Sequence, residues 1–311
     1  MPRVLRILIT GSAFFMFFSG ALVFGWLMLP IVCLFGWTSA GRKRLRMRFM
    51  NGAYWLHLNY MRVTGLISYS LAPKPPDFPE PGQPFVMISN HPSLIDVVHL
   101  MALFPGMASM AAPHYANSVI MGRLLKLAGY IIVSRPSGDE DTTGSSPSAS
   151  NTAVLDTMVE TLEAGTPLLI FPEGTRSPLR GLRRFRRGAI EAAARAGVPI
   201  VPVFISQDPP SLMKSQRWYE VPQRKMVFEI EFFPIIHTKD RELDTRAVHK
   251  ELYERYKRRC VKMLAQRHQN ALTHGDPPLP DRSARPSDRV LGPTPGVVEE
   301  EDSLALPEAE T

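Results

Sequence analysis

The chain has 311 residues and a formal net charge of +7, long enough to bury a core without disulfide staples, and its two cysteines, Cys33 and Cys260, neither call for an oxidising compartment nor form a metal-binding cluster. The charge is uneven: from Asp276 to Thr311 nine acidic and three basic residues give −6, which leaves +13 on the rest. A body this basic needs an anionic partner, and an apolar N-terminus without any aromatic-rich nucleic-acid motif favours a membrane or a phosphorylated ligand over nucleic acid.

From Ile7 to Trp37 the chain is almost free of charge. One bilayer span takes about 20 apolar residues, so this run fits a tilted span or a re-entrant helical hairpin bent near Gly20, Gly25 or Pro30. A secretory signal would have a shorter apolar core. Arg42, Lys43, Arg44, Arg46 and Arg48 follow at once, a basic block that places the rest of the chain on the cytoplasmic face. The stretch Phe49 to Leu66 carries Tyr54, Trp55, Leu56, Tyr60 and Met61. Its pattern fits an interfacial amphipathic helix and an ordinary core helix equally. The proline-rich stretch Ala72 to Pro84 reads as a stiff connector.

Apolar runs and helical patterns then alternate. Strands are predicted at Phe85–Ser89, Met107–Ala112, Tyr130–Ser134, Pro167–Phe171, Ile200–Ile205 and Met226–Phe233. Helices are predicted at Leu94–Leu103 with Ser93 as N-cap, at Tyr115–Leu127, at Ala153–Glu163 ending at Gly165, and at Arg187–Arg195 ending at Gly197. Such alternation implies an α/β fold, a largely parallel sheet core flanked by helices. Asp244 caps a long charged helix to about Gln269, with Val248, Leu252, Tyr256, Cys260 and Met263 on one stripe. The segment Ser137 to Ser150 reads as a mobile polar loop. The expected divisions are a membrane-anchoring segment with an interfacial helix over 1–71, the connector over 72–84, one α/β domain with its C-terminal helix over 85–270, and a disordered acidic tail over 271–311.

Two motifs carry chemistry. In Asn90-His91-Pro92-Ser93-Leu94-Ile95-Asp96, the histidine lies where a buried strand ends and the aspartate in the first turn of the next helix. That junction can bring a carboxylate to one imidazole nitrogen while the other faces a cleft, an arrangement that takes a proton from an attacking alcohol. Ser93 and Asp96 also fit a helix-start pattern, which is compatible with that role. The second motif, Phe171-Pro172-Glu173-Gly174-Thr175-Arg176-Ser177, follows another buried strand, at the end where open α/β sheets bind ligands. Arg176 can grip a phosphate through its fork of N–H donors. Glu173 can accept from an acceptor hydroxyl or orient Arg176. The arginines at 180, 183, 184, 186 and 187 surround Leu182 and Phe185, a basic loop suited to an anionic membrane surface or to the phosphates of a donor.

Together these motifs resemble the glycerolipid acyltransferase family, whose bacterial members include 1-acylglycerol-3-phosphate acyltransferases. Four blocks match in order: His91 with Asp96; Gly129-Tyr130-Ile131-Ile132-Val133-Ser134-Arg135; Phe171 to Ser177 in full; and the apolar strand Val198 to Val203. Phe185-Arg186-Arg187-Gly188 resembles a further family segment. The resemblance covers Phe85 to Ile205 and implies a glycerol-3-phosphate acyltransferase-like fold. It implies His91 as general base and Asp96 as its orienting partner. Arg135, Glu173, Gly174, Thr175 and Arg176 would bind the acceptor, and Pro202 and its strand would support the donor side. The donor would be acyl-CoA or acyl carrier protein, used as a substrate with no cofactor or metal. The acceptor would be a lysophospholipid, with 1-acylglycerol-3-phosphate giving phosphatidic acid. Another lyso-lipid, such as a lyso-ornithine lipid, is the alternative acceptor, and a non-catalytic lipid-binding protein of the same fold is the alternative function. The location would be a bacterial inner membrane. The chain departs from the family near Ala112 and Pro113, where members often carry lysines; here His114 or Lys126 would have to compensate, or the acceptor differs.

Overall fold

The computed structural model describes residues 2–34, 39–133, 149–214, 216–239 and 243–276. Most of the polar loop that begins at Ser137, and the acidic tail beyond Asp276, lie outside the described residues.

Short runs of Val, Ile, Leu and Met with few polar residues are buried on both faces, as strands of a parallel sheet must be. Seven form one sheet: β1 (Ile67–Leu71), β2 (Val86–Ser89), β3 (Ala108–Ala111), β4 (Ile131–Ile132), β5 (Leu168–Ile170), β6 (Ile200–Asp208) and β7 (Met226–Phe232). Their order is β1-β7-β6-β2-β5-β3-β4. Every pairing is parallel except β6 with β7. Alternate side chains go to opposite faces. Val86 and Ile88 of β2 enter one apolar cluster and Met87 the other.

The helices are α1 (Arg3–Val23), α2 (Leu29–Leu34), α3 (Ser39–Val63), α4 (Asp96–Leu103), α5 (Pro113–Ala116), α6 (Gly122–Leu127), α7 (Ala149–Glu163), α8 (Gly188–Ala196) and α9 (Thr245–His274). One face of the sheet is covered by α3 and α4. The other is covered by α7, α8 and α9, with Leu252, Tyr256, Cys260 and Met263 of α9 buried as their spacing predicts. Asp244 caps α9, accepting from the N–H groups of Arg246 and Ala247. Pro202 brings no N–H into the central strand β6. The buried Tyr256 hydroxyl fills that stretch, donating to the Ile88 carbonyl at 2.7 Å and accepting from the Val203 N–H at 2.9 Å.

Several expectations need correction. Helix α4 starts at Asp96, not Leu94: the Ser93 hydroxyl donates to the Asp96 carboxylate and accepts from the Ile95 N–H at 3.3 Å, which holds Leu94 and Ile95 in a turn. The helix expected over Tyr115–Leu127 is two short pieces, α5 and α6. Between them the Ser118 hydroxyl accepts from the N–H groups of Ile120 and Met121 and holds a turn. Strand β1 is absent from the sequence reading. It pairs with β7 at the sheet edge, Ile67 opposite Met226. Helix α9 runs on to His274 and stops at Gly275, which takes the left-handed conformation that suits glycine (φ 64°).

At the N-terminus α1 passes through a π-helical turn (Phe24–Met28) into α2 without reversing. At Gly25 the turn comes so close to α6 that an added Cβ would stand 3.2 Å from the Leu124 nitrogen. Residues Arg3–Met28 make one helix long and apolar enough to cross a membrane. Only 17% of its apolar window is buried, which is not the signature of a core helix. Helix α3 runs back along it: the Ser12 and Tyr60 hydroxyls are 2.6 Å apart and the rings of Phe17 and His57 stand 5.3 Å apart. Helix α3 has a core face and an exposed apolar face. Met50, Tyr54, Leu58 and Met61 enter the core, while Phe49, Trp55, Leu56 and Val63 are exposed.

Candidate active site

Strands β2 and β5 are hydrogen-bonded neighbours, yet the chain leaves them in opposite directions, from β2 toward β3 and from β5 toward β6. The two connections run over opposite faces of the sheet, α4 after β2 and α8 after β5, so a crevice opens between them at the carboxyl ends of the strands, the usual binding place in an open α/β sheet. The first motif follows β2 and the second follows β5, so the topology alone brings them together.

After β2, the buried Asn90 side chain extends the ladder to β6, donating to the Ile205 carbonyl at 2.9 Å and accepting from its N–H at 2.7 Å. This pins the chain just before His91. The Asp96 carboxylate is fully buried and accepts three bonds. Ser93 gives two, from its N–H (2.7 Å) and its hydroxyl (2.6 Å), and His91 Nδ1 gives the third at 2.9 Å. A carboxylate can only accept, so Nδ1 carries the proton and Nε2 is the basic nitrogen. The His91 side chain keeps 15% of its surface exposed, and Nε2 has no hydrogen-bond partner among the described residues.

The second motif is built around the first. The Phe171 ring stacks on the His91 ring, with centroids 4.1 Å apart and planes 22° apart. The Ser177 N–H donates to the His91 carbonyl at 2.7 Å. The His91 N–H is shared by Glu173 Oε1 and the Ser177 hydroxyl, both at 3.2 Å. That hydroxyl donates to Glu173 Oε1 at 2.5 Å, and the Arg183 N–H donates to Oε2 at 2.8 Å. Burial pushes the Glu173 carboxyl up; the bonds from Ser177, Arg183 and His91 oppose it. Glu173 therefore faces inward with both oxygens engaged, not outward to an acceptor as the sequence reading has it. It is a brace for the His91 backbone.

The turn itself is presented outward. Gly174 is exposed and adopts a positive φ of 64°, which glycine tolerates best. Thr175 and Arg176 are half-buried. Arg176 donates to the Leu212 carbonyl at 2.9 Å, and the same carbonyl accepts from the Leu94 N–H at 3.1 Å. Burial lowers the pKa of the guanidinium, while Tyr115 and Asp96 favour its charge. Arg176 thus stands beside the His91–Asp96 pair with the β6–β7 connector as a shared wall.

Arg135 lies outside the described residues. His114 and Lys126 are exposed, and the His114 ring lies tilted by 42° against Tyr115 with centroids 4.0 Å apart. Pro202 lies within the sheet opposite Ile88. The basic loop is only partly as expected. Arg180, Arg184, Arg186 and Arg187 are exposed, but Leu182 and Phe185 are core residues, with Phe185 edge-on to Tyr253 and Tyr256. Sequence reasoning gave no role to Asn90, Phe171 or Ser177, nor to the Leu212 carbonyl. The first three sit inside the motifs, so the signal was present but not the partner. Leu212 has no sequence signal. Among the described residues no group of three or more His, Cys, Asp or Glu side chains could hold a metal ion.

An alcohol reaching Nε2 can lose its proton to an imidazole whose positive charge Asp96 then offsets, while an anionic group on the same molecule meets Arg176. Comparisons with known proteins agree with such a site. The sequence profile of the acyltransferase family matches residues 72–206. The human 1-acyl-sn-glycerol-3-phosphate acyltransferase alpha is 29% identical over 211 residues, 65% of this chain and 66% of its own length. The chain thus spans about two thirds of that relative. The lyso-ornithine lipid O-acyltransferase of Pseudomonas aeruginosa is 32% identical over 126 residues, 40% of this chain and 44% of its own. The crystal structure of the 1-acyl-sn-glycerophosphate acyltransferase PlsC from Thermotoga maritima shares the fold, with a TM-score of 0.62 at 18% identity over 85% of this chain and 98% of that one. With its histidine–aspartate pair and its Phe-Pro-Glu-Gly-Thr-Arg-Ser turn joined at one crevice inside the matched region, the chain carries over residues 72–206 a segment that matches the acyltransferase family.

Proposed function

We propose that this enzyme moves a fatty acyl group from a thioester donor, acyl-CoA or acyl carrier protein, to the free hydroxyl of a lysophospholipid, and that the acceptor is 1-acylglycerol-3-phosphate, giving phosphatidic acid. The observation that carries this reading is the His91 Nδ1–Asp96 bond of 2.9 Å, which leaves Nε2 as a base. His91 Nε2 takes the acceptor proton as its oxygen attacks the thioester carbonyl. The thiol leaves and receives the proton, so no covalent acyl-enzyme is required. Arg176, with Gly174 and Thr175 on the exposed turn and Arg135 from the second block, binds the acceptor phosphate. The helix Arg3–Met28 anchors the chain in the inner membrane of a bacterium, and the basic block at Arg42–Arg48 keeps the catalytic domain on the cytoplasmic face.

A second reading, a lyso-ornithine lipid acceptor, is favoured by the similarity to the Pseudomonas relative and by the apolar Ala112 and Pro113 where family members often carry lysine. One labelled acyl donor offered to a panel of lyso-lipids, with products identified by mass, separates the two. Thiol release should accelerate sharply on adding the true acceptor. Equal release with no acceptor present would make the protein a thioesterase and overturn the proposal.

A further inference from the structure

The connector between β6 and β7 carries the Leu212 carbonyl that holds Arg176, and polar side chains fasten its root. Gln207 is fully buried, and its side-chain amide donates to the Ser211 carbonyl at 3.1 Å, one peptide before Leu212. Arg267 of α9 is buried as well, and its Nε donates to the Gln207 carbonyl at 2.6 Å. The Asp208 carboxylate accepts two bonds from Arg224 Nη2, at 2.9 and 3.0 Å, and one from the Asn270 amide at 2.7 Å. Asp208 ends β6 and Arg224 stands just before β7, so this pair ties the two ends of the connector together. Arg224 Nε donates in turn to Asp276 at 2.7 Å, just past the end of α9.

Fold stability alone would not select these groups. Gln207 Oε1 and Arg267 Nη2 are buried without a partner among the described residues, and an apolar pair would not carry that penalty. Burial pushes Arg267 down to about 10, while Cys260, Asp208 and Asp96 favour its charge, so it is a buried cation at neutral pH. What the two side chains achieve is a fixed backbone. Leu212 has a φ of 56° and is the one non-glycine residue at positive φ among the described residues. A leucine stays in that conformation only where its surroundings over-determine it. The bond to the Leu212 carbonyl is also the only side-chain hydrogen bond of Arg176 among the described residues. The direction of that carbonyl therefore decides the direction of the guanidinium.

We propose that Gln207 and Arg267 are positioning residues for the acceptor's anionic group: they hold the Ser211–Leu212 backbone in the strained turn that aims the Leu212 carbonyl at Arg176, and so set where the guanidinium meets the acceptor. This rests on the reading of Arg176 as the acceptor-phosphate ligand. Neither residue touches the acceptor. Gln207 acts from within β6 and Arg267 from α9, on the same stretch of main chain.

The test is acceptor kinetics on the full chain in detergent, with 1-acylglycerol-3-phosphate as acceptor and palmitoyl-CoA or palmitoyl-acyl carrier protein as donor, whichever the wild type turns over. Gln207→Met keeps the length but cannot donate. It should raise the acceptor KM roughly fivefold, the weight of one ordinary hydrogen bond, with kcat and the donor KM unchanged. Arg267→Met should do the same, and Arg267→Lys, which can still donate to the Gln207 carbonyl, should recover most of the loss. Arg176→Ala should raise the acceptor KM further, and Gln207→Met added to it should change nothing more, because a residue that acts through Arg176 is silent once Arg176 is gone. Should Gln207→Met fail to fold, Arg267→Met and Arg267→Lys complete the same cycle with Arg176→Ala. Additive effects, a fall in kcat that accompanies the rise in KM, or an acceptor KM that neither methionine variant moves would overturn the positioning role and leave Arg176 in place. An acceptor KM unmoved by Arg176→Ala, or a wild type that leaves this acceptor untouched, would overturn the phosphate-binding reading and this inference with it.

Discussion

His91 and His99 flank the start of the same helix, and their surroundings could hardly differ more. At His91 each polar neighbour is answered: Asp96 by Ser93 and the imidazole, Glu173 by Ser177, Arg183 and the His91 N–H. His99 is fully buried between α3, α4 and the sheet, and neither ring nitrogen has a partner. Its ring lies 4.3 Å from Phe228 and 6.3 Å from Tyr69. Burial pushes His99 down to about 4, and the nearby His57 likewise to about 4. One histidine is bonded to a buried carboxylate, as the proposed base requires, and the other is an aromatic filler kept neutral by its apolar walls. The lesson is that the connected polar shell, not the residue type, separates the candidate base from the filler.

The largest effect should come from removing the base. His91→Ala is expected to lower acyl transfer by about 10³-fold, within the 10²–10⁴ range of a positioned general base, while thermal unfolding shifts little, since the ring is partly exposed and its main partner in packing is Phe171. Asp96→Asn should lower kcat by a similar factor, because an amide can hold the imidazole in the wrong tautomer. A turnover assay alongside a melting curve checks both. Transfer that survives His91→Ala would place the chemistry elsewhere and erase the contrast between the two histidines.

Glu173 sharpens the same contrast, because its place in the polar shell is structural. Glu173→Gln keeps an acceptor for the His91 N–H and the Ser177 hydroxyl but turns an amide donor toward the Arg183 N–H. The expected result is a kcat reduced about tenfold, roughly the 1.4 kcal/mol of one lost bond to a charged group, with the acceptor KM nearly unchanged. Glu173→Ala leaves the Ser177 hydroxyl and the Arg183 N–H without that acceptor and should also destabilise the fold by about 2–4 kcal/mol. A KM increase that dominates over kcat in Glu173→Gln would return the carboxylate to the acceptor-binding role.

Much of this architecture was legible because apolar runs and helical stripes repeat with the periods of strand and helix. Six of the seven strands, the caps at Asp244 and Gly197, and the α9 stripe follow from that periodicity. Strand β1 escaped because Ile67–Leu71 alternates apolar with Ser, as an edge strand half open to solvent does, and it follows a helix without a proline break. The pairing of His91 with Asp96 was legible because five residues suffice to turn the chain back on itself. The inward turn of Glu173 was not, since it depends on the N–H groups of residues 91 and 183, brought in by β2–β5 adjacency. The Leu212 carbonyl, at a leucine held at φ 56°, belongs to the main chain and leaves no mark in side-chain identity.

The smallest effect tests the other half of the comparison. Burial lowers the His99 pKa to about 4, with the Asp96 charge and the Ile95 backbone acting the other way. The unfolded imidazole titrates near the ordinary value of about 6.5. Below that value the unfolded chain takes up a proton that the folded chain refuses, so stability falls as pH drops from about 6.5 toward 4 and is unaffected above it. By linkage the loss is about 1 kcal/mol at pH 5.5. Leucine fills a similar space without two unanswered nitrogens, so His99→Leu should flatten the acid limb of the stability curve and leave kcat at neutral pH unchanged. Denaturant melts from pH 7.5 to 5 read the slope. An acid limb equally steep in wild type and variant would mean that His99 is protonated in the fold, and the distinction between a wired and a walled-in imidazole would fail at its own site.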